Sequence, residues 1–206
     1  MRPVNEELKS EILNISKKEF LEHGYNKTTV RSIATSLGCT TGAIYRYYKD
    51  KSAIFDALVK EPTEMLLKQF KETSLNISSY SEDVQVKSVP EMSANEFDWM
   101  VDYIYDNYDV FQLICSASEG TKYETYIELL IEIEEESTNR FITTLKKSGM
   151  LKSNIAPLMS HILANTLFSG IFETVKHDLP RNIAMEHMHT LQQFYWGGWV
   201  RLLGIE

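Results

Sequence analysis

The chain has 206 residues, of which 43% are hydrophobic and 24% charged, and its formal net charge is −8. This length and composition predict a soluble protein of one large or two small domains. No apolar run approaches the roughly 18 residues of a membrane span, and the first residues lack a signal-peptide pattern. We therefore expect a cytoplasmic protein without membrane contact. Two distant cysteines, Cys39 and Cys115, predict reduced thiols rather than a disulfide framework.

Charge is unevenly distributed along the chain. Residues 1–60 contain ten Lys or Arg and seven Asp or Glu, a balance of +3, whereas the remaining residues have a balance of −11. A mildly basic segment joined to an acidic one indicates a nucleic-acid-binding domain next to a domain of another kind. We place the two domains at residues 1–50 and 51–206. Chance variation in surface charge is the alternative explanation.

The first predicted helix covers about residues 6–23, and Gly24 ends it. Residues 28–55 then predict three helices separated by two tight breaks. The first of these has its apolar residues at helical spacing and ends at Gly38, because glycine readily adopts positive φ. Thr40 or Thr41 can begin the second, and Asp50 can cap the third. The apolar face of the first is formed by Val30, Ile33, Ala34 and Leu37.

Two short helices joined by a glycine-containing turn form a helix-turn-helix, although an ordinary helical corner with a polar outer face is the alternative. On the second helix Ile44 and Tyr48 face inward, which leaves polar and small residues facing outward. We expect Thr41, Tyr45 and Arg46 to meet the major groove of double-stranded DNA. Phosphate contacts are expected from Thr28, Tyr47 and Lys51. The complete predicted DNA-binding set is Thr28, Thr29, Arg31, Thr40, Thr41, Gly42, Ala43, Tyr45, Arg46, Tyr47 and Lys51.

This part of the chain contains a series of small, hydroxyl-bearing and aromatic residues at fixed spacing. They are Gly24-Tyr25, Thr28-Thr29-Val30, Ile33-Ala34, Gly38, Thr40, Gly42, Ile44-Tyr45, Tyr47-Tyr48 and Lys51. The series resembles the DNA-binding domain of the TetR family of transcriptional regulators, over roughly residues 8–58. The resemblance implies a repressor that a small organic effector releases from its operator. Ser32 stands where that family often has an acidic residue that completes a capping box, so we expect a weaker helix start there.

Beyond the helix-turn-helix, a helix begins near Lys51, and Pro62 is expected to kink it or divide it into two consecutive helices. Serine-rich residues 74–92 predict a loop. Ser93 and Glu96 have capping-box spacing, which predicts a helix start at residue 93. A short helix capped by Asp109 should end at Gly120. Three longer helices follow, over about residues 122–148, 155–177 and 183–203.

No segment alternates between apolar and polar residues with period two, so the predicted fold class is all-α, with about nine helices. An N-terminal three-helix helix-turn-helix DNA-binding domain precedes a C-terminal helical bundle for ligand binding and dimerisation. No phosphate-binding glycine loop, nucleophile elbow or zinc-binding histidine pair is present. We therefore predict no catalytic residue, no cofactor and no metal. An enzyme with an all-helical body and an effector-independent DNA-binding protein remain the alternative functions.

The C-terminal bundle is rich in bulky side chains, which most simply fill a core. The resemblance implies that some of them line an effector site. That predicted set is Trp99, Met100, Tyr103, Cys115, Glu134, Phe141, Phe168 and Phe172.

Glu134 stands out among these residues. At about 100° per residue it lies about 20° from the centre of an apolar stripe that begins at Ile127. A carboxylate in such a stripe is costly to bury unless it is paired or hydrogen-bonded. It is explained by an internal partner, such as a tyrosine hydroxyl or His161, by a local opening to water, or by a cationic or hydrogen-bond-donating effector.

The final helix contains two adjacent glycines, Gly197 and Gly198, within an otherwise continuous helical phase. A glycine inside a helix costs about 1 kcal/mol relative to alanine, so we infer that a partner helix approaches closely there. A helix break at Gly197 is the alternative. We predict a two-fold homodimer through the last two helices, and therefore a palindromic operator. The predicted interface is Gly170, Leu191, Tyr195, Gly198, Trp199 and Leu202.

Overall fold

The computed structural model describes residues 5–151 and 155–204, excluding the side chains of residues 82, 83, 86–91 and 157. Within these ranges the chain forms nine helices and no strand, which confirms the all-α fold class. None of the described helices is long and apolar enough to cross a membrane. The helices are α1 Glu6–Lys27, α2 Val30–Leu37, α3 Thr41–Ile44, α4 Lys51–Ser79, α5 Glu82–Asp106, α6 Tyr108–Ala117, α7 Tyr126–Lys147, α8 Pro157–Lys176 and α9 Arg181–Leu203.

Packing divides the chain into two units. The first comprises Met1–Glu64 and Asn107–Tyr126, and the second comprises Met65–Asp106 and Ile127–Glu206. The first unit therefore contains α1, α2, α3, the start of α4, and α6. The second contains the rest of α4 together with α5, nearly all of α7, α8 and α9.

Aromatic side chains form the centre of the first unit. The Phe20 and Phe55 rings meet edge-on with centroids 5.1 Å apart, and Tyr25 meets Phe55 at 5.4 Å. Helix α6 packs on α1, where Asp109 forms an ion pair with Lys17. Asp109 lies inside α6 and does not cap it as predicted; Asn107 occupies the cap position without a side-chain capping hydrogen bond. These contacts join residues 107–126 to the N-terminal helices.

Helix α4 continues through Pro62, so the predicted division into two helices is wrong. Proline removes one amide donor from the helix. The buried Thr63 hydroxyl supplies a donor nearby, because it lies 2.8 Å from the carbonyl oxygen of Val59 and 3.0 Å from that of Lys60. The carbonyl that loses its donor to Pro62 is that of Leu58, so the Thr63 bonds do not replace the missing one.

The predicted loop at residues 74–92 is also wrong, because α4 runs to Ser79 and α5 begins at Glu82. Serine hydroxyls donate back to the helix: Ser78 to the carbonyl of Ser74 at 2.9 Å, and Ser79 to that of Asn76 at 2.7 Å. These bonds give the serine hydroxyls hydrogen-bond partners within the helix. Ser93 lies inside α5 and begins no helix.

Helix α9 runs unbroken through Gly197 and Gly198, so the alternative of a helix break there is wrong. In the core of the second unit, the Phe70 and Phe168 rings meet edge-on at 5.6 Å. Phe168, Phe172 and Met100 are fully buried.

Candidate nucleic-acid interface and effector cavity

Helix α2 begins with a reciprocal pair of hydrogen bonds. The Ser32 amide donates to the Thr29 hydroxyl at 2.9 Å, and the Thr29 amide donates to the Ser32 hydroxyl at 3.1 Å. This is a complete capping box. The expected weaker helix start is therefore wrong, since the serine hydroxyl accepts the hydrogen bond from the backbone amide that an acidic side chain would otherwise accept. Gly38 ends the helix at φ 72°, as predicted.

Helix α3 orients the candidate reading residues. The Ala43 amide donates to the Thr40 hydroxyl at 3.2 Å, which confirms Thr40 as the N-cap. Ile44 is fully buried and Tyr48 is 7% exposed, so both face inward as predicted. Consequently Tyr45, at 53% exposure, and Arg46 point to the surface.

The remaining members of the predicted DNA-binding set differ in exposure. Those that are exposed are Thr29, Arg31, Thr40 and Gly42, and those that are half-buried are Thr41, Ala43, Tyr47 and Lys51. The Tyr47 hydroxyl accepts a hydrogen bond from the Asn5 amide at 3.2 Å. Because a hydroxyl can also donate, this bond leaves Tyr47 able to contact a phosphate.

Thr28 has a structural role that the sequence reasoning missed. It is 1% exposed, and its hydroxyl lies 3.0 Å from the Glu19 carbonyl oxygen and 2.9 Å from that of Gly24. A buried hydroxyl engaged in this way is not presented to a phosphate, so the predicted contact by the Thr28 side chain is wrong for this conformation. The residue holds the end of α1 against the start of α2.

Lys51 also has internal partners. Its ammonium donates to the carbonyls of Tyr25 at 2.5 Å and Thr28 at 2.9 Å, and lies 4.0 Å from the centre of the Tyr25 ring. Burial lowers the pKa of this ammonium. Its predicted phosphate contact stays a prediction, and the structure adds a second role, which is to tie α4 to the turn before α2.

The second unit contains a cavity of ≈ 320 Å³ between its helices. Among the predicted effector residues, Glu134 and Phe141 line it. The others lie elsewhere: Met100, Phe168 and Phe172 are buried in the core, Trp99 stacks on Tyr103 at 5.2 Å, and Cys115 belongs to α6. Three of the eight predicted effector residues are therefore core residues, as the simpler explanation held for them.

Glu134 has one weak internal partner. The Thr138 hydroxyl donates to its carboxylate at 3.3 Å, one helical turn away. His161 was proposed as an internal partner of Glu134, but its Nδ1 lies 2.9 Å from a carboxylate oxygen of the neighbouring Glu135 instead. Although the side chain retains some exposed surface, that surface faces the cavity. Burial raises the pKa of Glu134 to about 7, and both the Thr138 hydrogen bond and the charge of Arg140 oppose this rise.

A second cavity carboxylate, Glu96, was not predicted. Its Oε1 atom is buried without a hydrogen-bond partner. Burial raises the pKa of this carboxyl, and the neighbouring Thr73 hydroxyl opposes the rise. The sequence signal was available, because Glu96 lies one turn before Met100 on the apolar side of α5, but capping-box spacing assigned it to a helix start.

The exposed apolar residues of α8 and α9 agree only in part with the predicted dimer contacts. Tyr195 and Trp199 line the cavity. A Cβ atom added to Gly170 would lie 2.9 Å from Leu191 Cδ1, so Leu191 of the same chain approaches this glycine closely, and the predicted contact of Gly170 with a partner stays a prediction. The exposed apolar residues of these two helices are Leu158, Ile162, Phe194 and Leu202.

Within residues 5–151 and 155–204, no three His, Cys, Asp or Glu side chains form a group that could hold a metal ion.

Comparison with known proteins places the similarity chiefly in the first unit. The profile of the family described as "Bacterial regulatory proteins, tetR family" matches residues 12–58. The HTH-type transcriptional repressor Rv1474c of Mycobacterium tuberculosis is 41% identical over 56 residues, which is 27% of this chain and 30% of that protein. The chain spans 30–47% of the length of four curated repressors to which it is 30–41% identical.

Two further proteins are similar over most of the chain. An HTH-type transcriptional regulator of Staphylococcus aureus strain USA300 is 24% identical over 170 residues, which is 78% of this chain and 87% of that protein. The crystal structure of a TetR-family protein from Syntrophomonas wolfei has a TM-score of 0.60 at 18% identity and covers 98% of this chain and 100% of its own. At such identity the structural likeness shows the fold alone.

Proposed function

We propose that this chain is a DNA-binding transcriptional repressor of the TetR family that acts in the cytoplasm, because residues 12–58 match the profile of that family. The observation that carries the proposal is the outward face of α3. Its N-cap Thr40 and the buried side chains of Ile44 and Tyr48 leave Tyr45 and Arg46 free to reach a major groove.

The proposed contacts divide into base reading and phosphate binding. Arg46 donates to guanine or to phosphate, and Tyr45 and Thr41 contact base edges. Phosphates are held by Tyr47 and Lys51. The domain of residues 1–50 provides the reading surface, and residues 51–206 provide the effector and dimerisation functions.

We propose that two copies associate about a two-fold axis through α8 and α9. Four apolar side chains on these helices are exposed to solvent in the single chain, and Phe194 is 73% exposed. A partner covering them would remove this apolar surface from water. Because a two-fold dimer presents two reading helices in symmetric positions, its operator is a palindrome.

We further propose that the cavity of the second unit holds a small organic effector whose binding releases the operator. Its ≈ 320 Å³ falls at the lower end of the size range of small-molecule sites. Its walls combine aromatic and aliphatic side chains with polar groups, as such sites do.

Selection of bound DNA from a random pool tests the proposal. The expected result is enrichment of a palindromic sequence, bound by the wild type in a gel-shift assay. Two variants that each remove one positive charge are then compared with the wild type. Arg46→Ala should weaken DNA binding, whereas Lys146→Ala, which removes an exposed charge on α7, should not. Failure to enrich any sequence would overturn the proposed function.

A further inference from the structure

The charges that line the cavity are of one sign. Among its described lining residues, the charged side chains are Glu96 and Glu134, and no lysine, arginine or histidine is present. The cation Arg140 is not among the lining residues, although its charge acts on Glu134. Its guanidinium donates to Ser74 at 2.7 Å and Ser78 at 3.1 Å and lies 3.5 Å from a Glu136 carboxylate oxygen.

Several neutral polar groups of the lining are already engaged within the protein. The Gln192 amide donates to the Ala94 carbonyl at 3.1 Å and to an Asp98 carboxylate at 3.2 Å. The Gln85 amide donates to the carbonyls of Ser78 at 3.3 Å and Tyr80 at 2.8 Å. Both carboxylates have spare acceptor capacity, since Glu96 Oε1 has no partner and the bond to Glu134 comes from the Thr138 hydroxyl.

The rest of the lining is largely aromatic and aliphatic. Its aromatic members are Phe70, Phe97, Phe141, Tyr195, Trp196 and Trp199. Aromatic faces attract cations electrostatically, and tryptophan does so most strongly. An apolar body can therefore be buried in the same space in which a positive charge is held.

We propose that the cavity binds a lipophilic organic cation, meaning an ammonium or guanidinium group on an apolar or aromatic body. Glu96 accepts from or pairs with the cationic group, Glu134 adds a second negative charge, and the aromatic walls enclose the body. A cation binds favourably because it supplies the partner that the buried carboxylates lack. The proposal rests on the proposed function in that it names the chemical class of the effector.

The cavity tryptophans provide the assay. Trp99→Phe leaves Trp196 and Trp199, which both line the cavity, as the remaining emitters. In this background, fluorescence titrations compare phenylalkyl-trimethylammonium ions of increasing chain length with their neutral isosteres, in which carbon replaces the quaternary nitrogen. We expect at least one ammonium ion of the series to bind about tenfold or more tightly than its isostere.

Glu96→Gln tests the carboxylate directly. We expect it to weaken ammonium binding about tenfold or more while leaving binding of the neutral isostere unchanged. Glu132→Gln, an exposed substitution on α7, removes the same charge and should bind both ligands as the wild type does. A thermal melt without ligand completes the set: Glu96→Gln should not lower the midpoint, because it removes a buried charge whose Oε1 atom has no hydrogen-bond partner.

Equal binding of an ammonium ion and its isostere throughout the series would overturn the proposal, as would absence of ammonium binding or undiminished binding by Glu96→Gln. Gel shifts on the same proteins separate the two levels of inference. A protein that binds DNA but none of the cations refutes the ligand class alone. A protein that binds the cations but no DNA refutes the proposed repressor function alone.

Discussion

The burial of Glu134 predicts a specific pH dependence of stability. The ordinary pKa of a glutamate is 4.5, and burial raises that of Glu134 to about 7 in the folded chain. Between these values the folded protein retains the proton that the unfolded chain has lost. Stability should therefore fall as the pH rises from 4.5 towards 7 and change little above that. The sign is opposite to that of a salt-bridged carboxylate, whose contribution to stability is lost on acidification.

Glu134→Gln isolates this effect, because glutamine has nearly the shape of a protonated glutamate and does not titrate. A difference of about 2.5 between the folded and unfolded pKa values corresponds to roughly 3 kcal/mol, at about 1.4 kcal/mol per pKa unit. We expect the variant to exceed the wild type in free energy of unfolding by roughly that amount at about pH 8. The gap should nearly vanish close to pH 4.5.

Urea denaturation followed by circular dichroism measures both proteins across this range. The difference between them cancels the titration of every other group to first order, and Glu132→Gln on the exposed side of α7 controls for the loss of a negative charge. A gap that is the same at about pH 5 and about pH 8 would refute the argument that burial sets the pKa of Glu134.

Other predictions concern DNA binding and assembly. Tyr45→Ala and Arg46→Ala should each cost about 1–3 kcal/mol in operator binding if a base contact is lost, and wild-type gel shifts by both would refute the assignment. Lys51→Ala should weaken binding to all sequences alike, flatten the salt dependence and, because two carbonyls lose their donor, lower the melting temperature. The wild type should be a dimer in light scattering at micromolar concentration, and a monomer there would exclude the proposed assembly. Phe194→Glu should shift the protein towards monomer, because it places a charge on the exposed apolar face.

Local chemistry made the helix-turn-helix predictable. Each break in residues 28–55 depends on a single residue whose backbone or hydroxyl has a known preference, such as Gly38 at φ 72° and Thr40 at the α3 cap. Ser32 shows where a local rule was too narrow, since the capping box needs an acceptor rather than a negative charge. Pro62 shows the same for the rule that proline ends a helix, because α4 continues through it.

Packing between distant segments was not predictable from periodicity. Residues 107–126 have an amphipathic pattern that would suit either unit, and only the tertiary contacts of α6 with α1 place them with the N-terminal helices. Thr28 was misassigned for a related reason. A threonine after a glycine turn is polar in sequence, yet here the chain folds its hydroxyl onto the carbonyl of Glu19, nine residues earlier.

Helix α9 explains why the cavity and the dimer surface were confused. At about 100° per residue, Met188, Tyr195 and Trp199 lie within about 20° of one line, whereas Phe194 lies about 120° away. The first three line the cavity, and Phe194 is 73% exposed. A broad apolar stripe therefore contains two surfaces, and hydrophobicity alone cannot separate them. The unbroken helical backbone through Gly197 and Gly198 holds both surfaces on one element, so a ligand that shifts α9 would also displace the residues proposed to meet the partner subunit.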